Sequence, residues 1–129
     1  MQDRVIRSPA PTPETEHYWS AAAEGRLLIK QCRSCDRPHF YPRALCPFCF
    51  SRETEWRQAE GVGTVYSFSI ARRAQVPYVV AYVTLAEGPT MLTNIVDCLA
   101  DTLHIGQKVR LVFKSSENGQ PVPMFTPVN

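Results

Sequence analysis

The chain has 129 residues, 44% of them hydrophobic and 20% charged, with a formal net charge of +2. That composition belongs to a globular protein rather than a disordered or membrane-embedded one, and no apolar run approaches the ~20 residues that span a bilayer. The near-balanced charge also argues against general electrostatic attraction to nucleic acid. Residues 1–12 are polar and proline-bearing, without the apolar stretch of a secretory signal. The expected location is therefore the cytoplasm, where thiols stay reduced.

Charge is distributed unevenly. Residues 26–57 carry Arg26, Lys30, Arg33, Arg37, Arg43, Arg52 and Arg57 against Asp36, Glu53 and Glu55, whereas residues 1–25 lean acidic. The pattern divides the chain into three zones: an N-terminal arm and docking helix (1–25), a cysteine module (26–58) and a strand-rich remainder (59–129).

In the first zone the alternating prolines of Ser8–Pro13 lack amide donors and fix φ, which predicts an extended arm. Thr12 suits a helix cap, Pro13 the first helical position, and Glu14 and Glu16 the acidic first turn. A three-turn helix is expected over 14–24, stopped by Gly25. Its Tyr18, Trp19, Ala22 and Ala23 form an aromatic-and-small face that needs something to dock on, because so short a helix is marginal alone.

In the second zone Leu27–Gln31 reads as a strand, with further short strands over Pro38–Tyr41 and Glu55–Gln58. In the third, Val62, Thr64, Tyr66, Phe68 and Ile70 alternate with mostly smaller residues at a period of two. Tyr78–Leu85 is apolar on both faces, Glu87-Gly88-Pro89 is a turn, and Met91–Val96 follows as a strand. Val109, Leu111 and Phe113 mark a fourth strand, Asn118-Gly119 is a hairpin signal, and Val122–Phe125 is the fifth. Five strands with a non-strand insert (Leu99–Gly106) after the third fit an OB-fold barrel, with Leu103 and Ile105 placed to plug its end. A small open β-sandwich is the competing topology.

The chemistry is concentrated in two pairs, Cys32-Arg33-Ser34-Cys35 and Cys46-Pro47-Phe48-Cys49. Two C-x2-C pairs at this interval present four thiolates to one tetrahedral ion, and four thiolates leave no position for a reactive water. A structural zinc site is expected at Cys32, Cys35, Cys46 and Cys49; iron has the same ligand preference in a rubredoxin-like site. A redox C-x-x-C pair is disfavoured, because no βαβ pattern accompanies it. Cys98 reads as a buried inert thiol and His39 as a ribbon-surface residue, while His17 and His104 have no nucleophile or acid at an informative spacing. No nucleophile elbow, phosphate-binding glycine loop or paired carboxylates are visible.

The order helix, zinc ribbon, OB-fold resembles the family known as domain of unknown function 35. The resemblance is carried by Tyr18-Trp19 through Gly25-Arg26-Leu27, the two cysteine pairs, Tyr41-Pro42-Arg43, Gly63-Thr64-Val65-Tyr66-Ser67-Phe68, Pro77-Tyr78-Val79-Val80-Ala81, Glu87-Gly88-Pro89 and Ile105-Gly106 with Val109. In that family Gly usually follows the second cysteine of each pair; here Asp36 and Phe50 do, and Phe accommodates a left-handed backbone poorly. The resemblance implies a mainly β protein that is a non-catalytic accessory subunit of a hetero-oligomeric thiolase-like acyl-CoA enzyme. The catalytic groups would lie on a thiolase-fold partner.

Candidate partner or coenzyme A contacts are Tyr18, Trp19, Arg43, Arg72 and Arg73, with Phe40, Tyr41, Phe48 and Arg52 as further anchors. The alternative is a single-stranded nucleic-acid-binding module, since ribbons and OB-folds both bind single strands elsewhere. The balanced charge of residues 59–129 disfavours it.

Overall fold

The computed structural model describes residues 4–128. The described residues are mainly β: one α-helix, one short 3-10 turn at Ala100–Thr102, a three-stranded ribbon sheet and a closed five-stranded barrel.

Helix α1 spans Glu16–Ala23. It starts later than 14 because residues 13–15 form a turn, in which the Thr12 carbonyl accepts from the Thr15 and Glu16 N–H groups at 2.9 and 2.8 Å. Thr15 Oγ1 accepts from the Thr12 N–H in return. The end is set by Gly25 at φ +80, with Arg26 N–H donating to Ala21 O and Gly25 N–H to Ala22 O. This pair of bonds satisfies the last carbonyls and requires the left-handed residue that glycine supplies.

The ribbon sheet has the order β2-β1-β3, with β1 at Leu28–Cys32, β2 at Pro38–His39 and β3 at Thr54–Gln58, all antiparallel. The barrel runs β4-β5-β6-β8-β7: β4 is Val62–Ala71, β5 Tyr78–Leu85, β6 Thr90–Ile95, β7 Lys108–Ser115 and β8 Pro121–Pro127. β4 pairs with β7 to close it, and Ile95 pairs in parallel with Phe125. Closure decides for the OB-fold and against the open sandwich.

The alternation on β4 holds only in part. A bulge between Val65 and Ser67 makes Tyr66 an extra residue. Before it Val65 points inward and Val62, Thr64 and Tyr66 outward; after it Phe68 and Ile70 pack against the core. One inserted residue reverses the phase of everything beyond it, which is why a single period-two reading of the strand fails. In the insert between β6 and β7, Leu103 is buried as expected, whereas Ile105 is exposed.

One apolar core joins all three zones. Tyr18 and Ala21 of α1, Leu27, Leu28 and Ile29 of the ribbon, and Val65, Val83 and Phe125 of the barrel belong to the same cluster. Ala59 N–H donates to Leu27 O across the ribbon–barrel junction. The arm preceding α1 lies along the barrel. The Arg4 guanidinium stacks 4.1 Å from the Tyr78 ring and donates to Asn94 Oδ1, and Ser8 Oγ accepts from Asn118 N–H in the β7–β8 turn. Among the described residues no helix is long and apolar enough to cross a membrane.

Candidate metal centre and its surroundings

Cys32 ends β1, Cys35 follows one turn later, and Cys46 and Cys49 sit on the loop between β2 and β3. All four Sγ atoms lie within 4.8 Å of one another. Cys32 Sγ is 3.6 Å from Cys49 Sγ, and Cys35 Sγ is 3.6 Å from Cys46 Sγ. Four sulfurs bound tetrahedrally at ~2.3 Å from zinc are about 3.8 Å apart, so the cluster fits such an ion. The separations are far beyond a sulfur–sulfur bond of about 2 Å.

Each cysteine pair is folded into a knuckle by its own backbone. Cys32 N–H donates to Arg37 O and Cys46 N–H to Ser51 O, while Cys35 N–H and Phe48 N–H point at Cys32 Sγ and Cys46 Sγ. Those turns demand a left-handed residue after the second cysteine, and Asp36 (φ 60) and Phe50 (φ 63) adopt it. Ser34 Oγ and Ser51 Oγ, 2.8 Å apart, join the two knuckles. The Cys35 N–H draws the Cys32 thiol down to about 6, and burial pushes Cys35 up to about 12. Cys46 is drawn down as Cys32 is, and Cys49 is pushed up as Cys35 is, so the cluster resists full ionisation until a cation compensates it. With all four ligands supplied by protein, a bound metal would be enclosed and structural.

The other residues singled out by sequence divide by location. Tyr18, expected among surface contacts, is 3% exposed; its ring packs against Trp19, Phe40 and Tyr41 and holds α1 to the ribbon. Trp19 is partly buried, and its carbonyl accepts from Gln120 Nε2 of the barrel. Arg43 is exposed and stands 3.8 Å from Glu14, whose other carboxylate oxygen accepts from the Ala44 N–H. Arg72 and Arg73 lie apart from these, on the turn between β4 and β5, where Arg72 pairs with Asp101 at 2.8 Å. Arg52 is exposed, as are Phe48, against which the Arg37 guanidinium lies, and Phe50. Cys98 is half-buried, and burial raises its thiol.

His39 requires a correction. It was expected on the ribbon surface, yet it is 4% exposed with neither ring nitrogen hydrogen-bonded. The cause is its register opposite Lys30, itself buried at the centre of the ribbon sheet. Sequence reasoning also missed Lys30 and Trp56, which face each other across β1 and β3. The available signal was a lone charged residue in the strand Leu28–Cys32.

Comparison with known proteins agrees with this architecture. Residues 19–55 match the family described as ChsH2, rubredoxin-like zinc ribbon domain, and residues 56–114 match ChsH2, C-terminal OB-fold domain. A "Probable enoyl-CoA hydratase alpha subunit" from Thermomonospora curvata is 33% identical over 92% of this chain, which spans only 39% of that relative. A "DUF35 domain-containing scaffold protein" from Methanocaldococcus jannaschii is 36% identical over 74% of each chain. Among solved structures, a chain of the "Ltp2-ChsH2(DUF35) aldolase" superposes with a TM-score of 0.82 at 33% identity, covering 93% of this chain and 98% of that one. On these matches the chain belongs to the DUF35 family.

Proposed function

We propose that this protein is a non-catalytic accessory subunit of a hetero-oligomeric, thiolase-like acyl-CoA enzyme that makes or breaks carbon–carbon bonds or transfers acyl groups. The observation that carries this reading is the likeness, over 93% of this chain and 98% of the other, to a chain of the "Ltp2-ChsH2(DUF35) aldolase". The closed four-cysteine site supports it, since enclosed ligands build a scaffold rather than activate water.

The ion assigned to the site is zinc, and its role is to fix the two knuckles against β1. The site of action is the cytoplasm, in keeping with five cysteines of which none forms a disulfide. Acyl-CoA itself is a candidate ligand of the assembled complex, with Arg72 and Arg73 offering cations to its phosphates.

The test is co-expression of this chain with the thiolase-like protein of the same genome, followed by size-exclusion chromatography and an acyl-CoA cleavage assay. One co-eluting, active species is expected, with about one zinc per chain by elemental analysis. Separate elution would defeat the subunit reading, and iron in the elemental analysis would reassign the metal.

A further inference from the structure

The five barrel strands contain no carboxylate, and their only charged side chains, Lys108, Arg110 and Lys114, all lie on β7. An antiparallel sheet facing water ordinarily alternates apolar residues inside with polar and charged residues outside. On β4, β5 and β6 the outward positions are instead aromatic, aliphatic or uncharged polar. Tyr66 is 67% exposed, Leu92 55% and Tyr82 47%. Tyr82 stands directly opposite Leu92, and the β4 bulge brings Tyr66 beside them.

This patch does not stop at the barrel. Phe40 and Tyr41 of the ribbon join Tyr82, Thr90 and Leu92 in lining a groove of about 360 Å³. At the opposite margin, Lys108 and Arg110 are paired in register with Thr64 and Val62. The far end of the same face, at Tyr78 and Asn94, is covered by the chain's own Arg4. The chain thus shields one part of the face and leaves the aromatic part open.

Monomeric proteins seldom expose contiguous apolar patches of this kind without a partner for them, and clustered aromatics are the usual anchors of such partners. We propose that the outer face of β4–β6, with its groove, is the surface on which the catalytic subunit docks. An apolar side chain of that subunit fills the groove, and its carboxylates meet Lys108 and Arg110. The inference rests on the accessory-subunit reading and adds the place of contact.

Charge selects this occupant over two others. A single nucleic-acid strand needs cations interleaved with the stacking aromatics, and β4–β6 have none. A second copy of the chain brings the same cations and no strand carboxylate to meet them.

The experiment measures affinity of the full-length, metal-loaded chain for the thiolase-like subunit of the same genome by biolayer interferometry. Wild type is compared with Tyr82→Glu, Leu92→Asp and a control, Leu99→Asp, in the exposed loop after β6. The two face variants should bind at least tenfold more weakly and melt within a few degrees of wild type, while the control binds normally. Lys108→Glu with Arg110→Glu should slow association and flatten its salt dependence. Should a face variant fold poorly, Tyr82→Ser and Leu92→Thr replace it, and hydrogen exchange must find β5 and β6 protected on complex formation.

Normal binding by every face variant, or no added protection, overturns this docking face and leaves the subunit reading standing. Absence of binding by wild type defeats the subunit reading and this inference together. A wild-type dimer dissociated by Leu92→Asp, or binding of a dT20 oligonucleotide lost in Tyr66→Ala, would give the face to another occupant and overturn the proposal.

Discussion

The Lys30 ammonium lies 4.3 Å from the centroid of the Trp56 ring, and the two residues are direct partners across β1 and β3. Lys30 is only 9% exposed, and the one hydrogen bond of its ammonium among the described residues is a long contact to Thr54 Oγ1. Burial lowers its pKa, the Glu14 carboxylate opposes that, and the electron-rich ring face adds a second compensation. A double-mutant cycle of Lys30→Met and Trp56→Leu, read by urea unfolding, should give a coupling of about 1 kcal/mol. Additive effects would mean that the ring only fills space.

His39 should make the protein acid-sensitive. Burial is the main cause holding its imidazole below the ordinary value; a backbone contact at Arg43 opposes it, and the Lys30 and Arg43 cations add to it. Above about pH 6.5 the ring is neutral in both folded and unfolded states and contributes nothing. As pH falls below that value the unfolded chain takes up the proton first, so stability drops by at most about 1.4 kcal/mol per pH unit until the folded pKa is reached. His39→Leu should lose less stability than wild type between pH 7.5 and 5.5, because protonation of the metal-site thiolates acts on both proteins alike. Equal losses would show that the ring is solvated when charged.

Metal removal should act on the ribbon. Cys46 is fully buried, and its Sγ is 3.6 Å from Cys35 Sγ. Metal binding supplies folding energy to small cysteine modules, so Cys46→Ser should lower the melting temperature by roughly 10 °C or more. A strong chelator should cause the same loss in wild type, restored by added zinc. An unchanged melting curve in both experiments would end the structural role of the site.

Phe50 occupies a left-handed backbone position with its side chain 75% exposed, so the chain gains little packing from it. Phe50→Gly relieves roughly 1 kcal/mol of steric cost and returns part of it as unfolded-state entropy. The expected result is a net stabilisation of about 0.5 kcal/mol by thermal unfolding. A fall in stability would reveal a packing role for the ring.

Gly63 is tolerated in β4 for a different reason. A Cβ there would sit 2.6 Å from the Thr84 carbonyl oxygen and 2.8 Å from Val83 Cγ1, both in the paired strand. Gly63→Ala should therefore push β4 from β5 and cost roughly 1–3 kcal/mol in chemical denaturation. A neutral result would place the close approach within the reach of small strand shifts.

The parts of this molecule legible in sequence were those governed by local chemistry. Four cysteines at fixed spacing imply a shared ion whatever surrounds them, and Gly25 ends a helix because few other residues accept φ +80. The parts that escaped depend on which strand lies beside which. His39 is buried by its register with Lys30, and Phe68 turns inward because Tyr66 bulges out two positions earlier. Tyr18 read as part of a helix face in need of a dock, but which residues supply it was not legible: Phe40 and Tyr41 come from a distant turn to enclose it. The absence of carboxylates from the barrel strands was written in the sequence, yet it acquires meaning only when closure places those strands side by side.

The continuous core that runs from α1 through Leu27–Ile29 to Phe125 leaves no slack at the junction where Ala59 N–H meets Leu27 O. The protein therefore behaves as an angle bracket rather than as two beads on a string. Anything gripped by the metal-bearing end keeps a set distance and orientation to anything resting on the barrel.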